Sequence, residues 1–226
     1  MLRRSDPLVR RISAAMLTGL LAALPAGCIN LDLSGKGERP SLSYFDLAGS
    51  VAGDSSGNST APAISLRGID VVAPTWLDAP AMQYRLAYAE PARRASFAES
   101  RWVAPPPELL QQALRKSMAS AETRSAPGAC RLQIEVDEFV QVFDSPQSSS
   151  GVIELRVSLL ASGADALVAR KTFRASRPAQ SADARGGVAA LAAATSDVSG
   201  AIRDWLDGLG NDSVNGVAIA PRCRAN

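Results

Sequence analysis

The chain has 226 residues, 24 of them Lys or Arg and 22 Asp or Glu, with no histidine and only eight Phe plus Tyr. The missing imidazole excludes Ser-His-Asp and Cys-His catalysis and zinc sites built on histidine. A near-neutral, aromatic-poor chain also has no electrostatic footprint for nucleic acid.

The first 27 residues have two parts. Arg3, Arg4, Arg10 and Arg11 make a basic start, and ISAAMLTGLLAAL (12–24) follows without a charge. Those thirteen residues are too few to cross ~30 Å of hydrocarbon, which takes roughly 20 in a helix. Basic flank, short apolar run and the small residues Ala26 and Gly27 before Cys28 fit a secretory signal peptide over 1–27. The alternative reading is a buried N-terminal helix. The end of the segment, LPAGC, resembles the lipobox of bacterial lipoproteins in Ala26, Gly27 and Cys28, with Leu24 one place early and Pro25 where the leucine is expected. That resemblance implies an acylated Cys28 as residue one of the mature protein. Acyl chains at ~0.8 kcal/mol per buried CH₂ hold a protein firmly once more than one is attached. Ile29 rather than Asp after the cysteine resembles the sorting pattern for export to the outer membrane. Without residues 1–27 the chain keeps 199 residues, 20 of them basic and 21 acidic. The apparent basicity therefore belongs to the signal.

Residues 28–40 are short, polar and contain Gly and Pro, so they read as a flexible tether, and a coil of this length reaches roughly 20 Å. One domain is expected over 41–210, with a polar tail over 211–226. SLSYFDLAG (41–49) reads as a first strand, and the Gly/Ser-rich VAGDSSGNSTAP (51–62) as a loop. AISLRGIDVVAP (63–74) predicts a strand ending at Pro74. Met82, Tyr84, Leu86 and Tyr88 alternate, Glu90-Pro91-Ala92 is expected to turn the chain, and Phe97 to Val103 returns as the second arm of a hairpin. Pro105, Pro106 and Pro107 end that strand and suit the first turn of a helix over 108–120, whose buried face carries Leu110, Ala113, Leu114 and Met118.

Three strands with short links follow: 130–143 with Leu132, Ile134 and Val136 inward, 151–162 with Ile153, Leu155, Val157 and Leu159 inward, and 166–176. They predict an antiparallel meander whose other face carries Glu135, Asp137, Glu154, Arg156, Arg170 and Arg174. In 186–209, Val188, Leu191, Thr195, Val198, Ile202, Trp205 and Leu209 step by three and four. That stripe suits either a coiled-coil seam or a helix on a sheet; its alanines and Thr195 favour the sheet. The expected fold class is α/β (α+β), a single domain with a mixed, largely antiparallel sheet and two main helices.

Cys130 and Cys223 are an even pair in an oxidising compartment, read as a disulfide, with two unpaired thiols as the alternative. Asp137 with Glu138, and Asp204 with Asp207, are the carboxylate pairs that glycosidic chemistry would need, but a strand edge and a polar helix face account for both. With no phosphate-binding loop and no metal-ligand cluster, no enzyme activity, metal or cofactor is expected.

The stretch IDVVAPTWLDAPAMQYRLAYAEPARRASFAESRWVAPPPELLQQAL (69–114) resembles the ABC-type transport auxiliary lipoproteins, the PqiC-like family, in Pro74, Trp76, Leu77, Asp78, Pro80, Arg85, Arg101 and Trp102. The late VAALAAATSDVSGAIRDWL is similar to that family's final helix. The resemblance implies a periplasmic lipoprotein that works beside an MCE-domain protein and an ABC permease and ATPase in lipid movement between two membranes. It also implies a docking or ring-forming component, hence a candidate homo-oligomer. A rival of another class is an LptE-like assembly or plug lipoprotein of an outer-membrane β-barrel. Trp76, Arg85, Arg101 and Trp102 are the candidate partner interface, since Trp and Arg dominate interface hot spots. The plainer reading is a hairpin held by an Arg–carboxylate pair, with Trp102 buried and Arg101 outward beside Arg85 or Glu99.

Overall fold

The computed structural model describes residues 41–47, 64–122, 128–210, 213–214 and 217–223. The expected signal peptide, Cys28, the tether and the 51–62 loop lie outside the described residues. The strands are β1 Ser43–Phe45, β2 Leu66–Val72, β3 Ala81–Leu86, β4 Glu90–Trp102, β5 Cys130–Ser145, β6 Ser148–Leu160 and β7 Leu167–Pro178. Two helices, α1 Pro106–Ser117 and α2 Ala184–Leu209, complete the main fold, with a two-strand ribbon of β8 Ser213–Val214 and β9 Val217–Ala218 near the end. This is the mixed α/β single domain that the pattern of elements predicts.

The sheet runs β1-β4-β3-β5-β6-β7, with β2 also on β5. The meander β5–β6–β7 is antiparallel throughout. Pro146 and Gln147 link β5 to β6, a proline-led turn matched by the Ser145–Ser148 pairing. β6 occupies one edge of β5 along its length, so β2 and β3 share the other. β2 lies parallel to β5 from Cys130 to Glu135, and β3 lies parallel to it from Gln141 to Phe143. The two strands follow one another along one edge, and the chain between them makes an excursion over 73–80. That excursion contains Pro74, Trp76, Leu77, Asp78 and Pro80.

Inward alternation on β5 starts as expected, with Leu132, Ile134 and Val136 at most 1% exposed. A register shift between Val136 and Glu138 then reverses it. Such a bulge adds one residue and flips every later side chain. Without it Glu138 would enter the core; with it Phe139 does, at 1% exposed. The hairpin turn also differs from expectation. It lies at Ala87–Ala89, where the Ala89 N–H donates to the Leu86 carbonyl at 3.1 Å, and Pro91 falls inside β4. Proline is tolerated there because this stretch of β4 has no other described neighbour than β3, and an edge needs no donor.

Pro106 and Pro107 open α1 at positions whose N–H groups have no partner within a helix. Gln111 and Arg115 from α1 donate to the Ile69 carbonyl of β2, at 2.9 and 3.2 Å, which covers the strand's outer edge. Helix α2 lies on the sheet as a core helix: Leu191, Thr195, Val198 and Ile202 are buried, while Val188 and Trp205 are half-buried. The buried hydroxyls of Thr195 and Ser199 donate to the carbonyls four residues earlier, at 2.8 and 2.6 Å. At Gly151 of β6 an added Cβ would stand 2.6 Å from the Leu191 amide, so glycine sets how closely helix and sheet approach.

Asp183 caps α2. Its carboxylate accepts from the Gly186 N–H at 2.8 Å and from the Ser181 hydroxyl at 2.8 Å. The Gly186 bond first, then Ser181, holds its pKa below the ordinary carboxylate value. The cap's contribution is therefore present above the unfolded-state pKa and is lost as pH falls through the lower folded value. Asp183→Ala is expected to cost about 1 kcal/mol at neutral pH. Asp183→Asn keeps most of the cap and flattens the acid limb of the unfolding curve, which thermal melts from neutral to strongly acidic pH will read.

Candidate functional site

The excursion over 73–80 is held at both ends. The Leu77 N–H donates to the Pro74 carbonyl at 2.8 Å, and Leu77 is buried at 1% exposed. The Trp102 N–H donates to the Pro80 carbonyl at 2.8 Å, and Gln83 Nε2 to the Trp76 carbonyl at 2.6 Å. Trp76 is thereby presented on a fixed loop with its side chain 42% exposed.

Beneath it lies a charged plate. Arg85 on β3 stands opposite Arg94 on β4, so both project from one face of the hairpin. The Arg94 guanidinium lies 4.0 Å from the Trp76 ring centroid, a cation–π stack. Glu138 accepts from Arg94 and, at 3.2 Å, from Arg85. The carboxylate's side chain is 19% exposed and the two arginines 28% and 27%. Solvent screens such a triad less than a surface pair, and removing its single anion leaves two facing cations. Glu138→Ala is expected to cost about 1–2 kcal/mol and to loosen Trp76. Urea unfolding and acrylamide quenching of the indole check the two effects.

The structure separates the four sequence-predicted interface residues. Trp76 and Arg85 join the plate. Trp102 is 1% exposed, edge-on to Phe139 with centroids 5.4 Å apart, so it offers nothing to a partner; adjacent strand residues point to opposite faces, and its side is the core. Arg101 points the other way and pairs with neither Arg85 nor Glu99. Its guanidinium donates to the Phe97 carbonyl and to the Ser100 carbonyl at 2.8 Å. The β3–β4 register slips between Ala81 and Gln83, which accounts for carbonyls on β4 that a side chain must satisfy. Arg94, Gln83 and Glu138 were absent from the sequence-derived set. Glu138 lies 44 residues from Arg94, and only the β5 bulge turns it to that face.

Cys130 and Cys223 are joined as a disulfide with Cα atoms 4.8 Å apart. The carboxylate pair on β5 is split between arginines. Asp137 binds Arg156 in a two-pronged pair at 2.9 and 2.6 Å, which keeps its pKa below the usual range. Arg156 also reaches Glu135 at 3.3 Å. These three charges border an open groove of about 310 Å³ with Val72, Ala73, Pro74 and Val136, where β2 leaves β5. No cluster of metal-ligating side chains occurs among the described residues. Nor is any described helix long and apolar enough to cross a membrane.

An open, largely antiparallel sheet carrying two helices, with an exposed Trp76 stacked on Arg94, defines a mixed α/β domain. The model of the ABC-type transport auxiliary lipoprotein component family matches residues 45–203, and the chain belongs to that family. The fold is similar to the crystal structure of a Xanthomonas campestris protein of family DUF330, at 22% identity and a TM-score of 0.57, covering 75% of this chain and 94% of that one. It is also similar to that of an uncharacterized protein at 17% identity and a TM-score of 0.56, covering 74% and 99%. No curated protein matches the chain. At these identities the solved structures establish the shared fold, and the family model establishes the transport-auxiliary lipoprotein class.

Proposed function

We propose that the protein is a non-enzymatic component of an MCE/ABC-type intermembrane lipid transport system, anchored in the outer membrane through a lipid on Cys28 and facing the periplasm. It docks the transport assembly there, with an MCE-domain protein as direct partner and the ABC permease and ATPase beyond it. The observation that carries this reading is the transport-auxiliary family match over 45–203, a span that contains the whole excursion and hairpin. The Trp76–Arg94–Glu138–Arg85 plate is the dock. Its aromatic is held by a stacked guanidinium, so little side-chain freedom is lost on binding.

The test places a photo-crosslinking residue at Trp76 in the full-length protein in living cells, with a second at Leu167 on the far edge of the sheet. Recovery of an MCE-domain protein with its permease from position 76, and not from 167, is the expected result. A β-barrel protein alone at position 76 would transfer the assignment to barrel assembly. No crosslink from either position would remove the dock. Mass analysis of the N-terminal peptide in the same sample reads the acylation of Cys28 directly.

A further inference from the structure

The first residues of the domain carry an exposed apolar edge that the dock does not use. Leu42, Tyr44 and Val103 are 49, 62 and 53% exposed. Leu42 and Tyr44 are two residues apart around strand β1, so they share a face. The Tyr44 Cα is opposite Arg101 in the parallel β1–β4 ladder, and the Val103 N–H donates to the Phe45 carbonyl at 2.9 Å. Three large exposed apolar side chains and one arginine thus lie along the same edge of the sheet. Arg101 has backbone carbonyls as its described hydrogen-bond partners and no carboxylate among the described residues.

We infer that this edge rests on an anionic bilayer surface, with Leu42, Tyr44 and Val103 at the headgroup boundary and Arg101 toward lipid phosphates. The inference rests on the lipid-anchor reading of Cys28. Thirteen residues separate Cys28 from Leu42, a stretch that spans at most about 45 Å fully extended. β1 is the first described element after them, so along the chain its face is the part of the domain nearest the anchor. β7 is at the opposite edge, five strand spacings or about 24 Å across the sheet. A tether of this length keeps the edge at high effective concentration at the membrane, where a patch too small to bind by itself still orients the domain. The chemistry matches the surface: an amphipathic Tyr and a cationic Arg beside aliphatic side chains are the residue types that settle at a membrane interface.

The test uses the full-length protein reconstituted into vesicles of phosphatidylethanolamine and phosphatidylglycerol with brominated acyl chains. Tyr44→Trp adds an indole at the edge, and Leu167→Trp adds one at the far side of the sheet as the internal control; far-UV circular dichroism confirms that both fold. The added Tyr44→Trp emission is expected to shift to the blue and be quenched by the bromines, while that of Leu167→Trp stays red-shifted and unquenched. Arg101→Gln in the Tyr44→Trp background is expected to lose the dependence of quenching on phosphatidylglycerol content. Unquenched Tyr44→Trp on protein whose Cys28 mass includes the lipid overturns the membrane-facing edge and leaves the anchor standing. A blue shift that is independent of bromine and accompanied by dimeric mass assigns the edge to a second copy and overturns the inference. An unmodified Cys28 with no vesicle association overturns both.

Discussion

Trp102→Ala is expected to lower the unfolding free energy by about 3–5 kcal/mol, the range for deleting a fully buried large aromatic. Trp102 is 1% exposed in the same core as Leu109, Leu110 and Phe139. It stands where three pieces of chain meet. Its Cα is opposite Phe45 of β1, its N–H donates to the Pro80 carbonyl at the end of the excursion, and its ring meets Phe139 just past the β5 bulge. At about 2–4 °C per kcal/mol for a chain of this size, the melting temperature falls by ~6–20 °C. The matched control is Trp76→Ala. That indole is 42% exposed, so its loss is expected to change stability by less than about 1 kcal/mol and to abolish capture of the partner at the dock. Urea unfolding of both variants beside the in-cell crosslinking assay separates a packing tryptophan from a contact tryptophan. Equal stability losses would contradict the division.

Opening the Cys130–Cys223 link is the second large effect. The bond joins positions 93 residues apart. Chain-entropy arguments assign about 4–5 kcal/mol to a closure of that size, and removal of native disulfides typically costs about 2–5 kcal/mol. The local structure adds a reason for a loss toward the upper end. The Ser65 N–H donates to the Cys223 carbonyl at 2.9 Å, and the Cys130 N–H donates to the Ser65 carbonyl at 2.9 Å. The link thus clamps the start of β2 between β5 and the C-terminal segment, where Ile219 and Cys223 are at most 1% exposed. Cys130→Ala/Cys223→Ala is expected to melt about 5–20 °C lower than the oxidised protein and to become insensitive to reductant, whereas the wild type falls to the same temperature once reduced. A wild type that melts identically with and without reductant would show that the closure contributes nothing.

Much of the fold was legible in the sequence because most of its signals are local. Prolines 105–107 announced the start of α1, since only a helix's first turn tolerates a missing N–H there. The three-and-four stepping from Val188 to Leu209 announced α2, and period-two alternation announced the meander. Two places misled, for one reason. Pro91 reads as a turn residue, but on a strand edge it loses no ladder bond, and edges are known only once the strands are ordered. The alternation on β5 gives no warning of its bulge, because Asp137 is an extra residue only relative to the partner strand.

The candidate site divides along the same line. From sequence alone came the N-terminal pattern ending at Cys28, the absence of any histidine, the family resemblance, and the naming of Trp76, Arg85, Arg101 and Trp102 as interface candidates. Only the tertiary structure decided which of those four face outward. It buried Trp102, turned Arg101 onto carbonyls of its own strand, and built the plate from Arg94 and Glu138, which local spacing could not connect. The physical reason is that propensity and periodicity act over a few residues, whereas side-chain facing depends on register. The bulge on β5, the slipped β3–β4 pairing and the shared edge of β2 and β3 are properties of strand pairs, and they exist only when the pairs have formed.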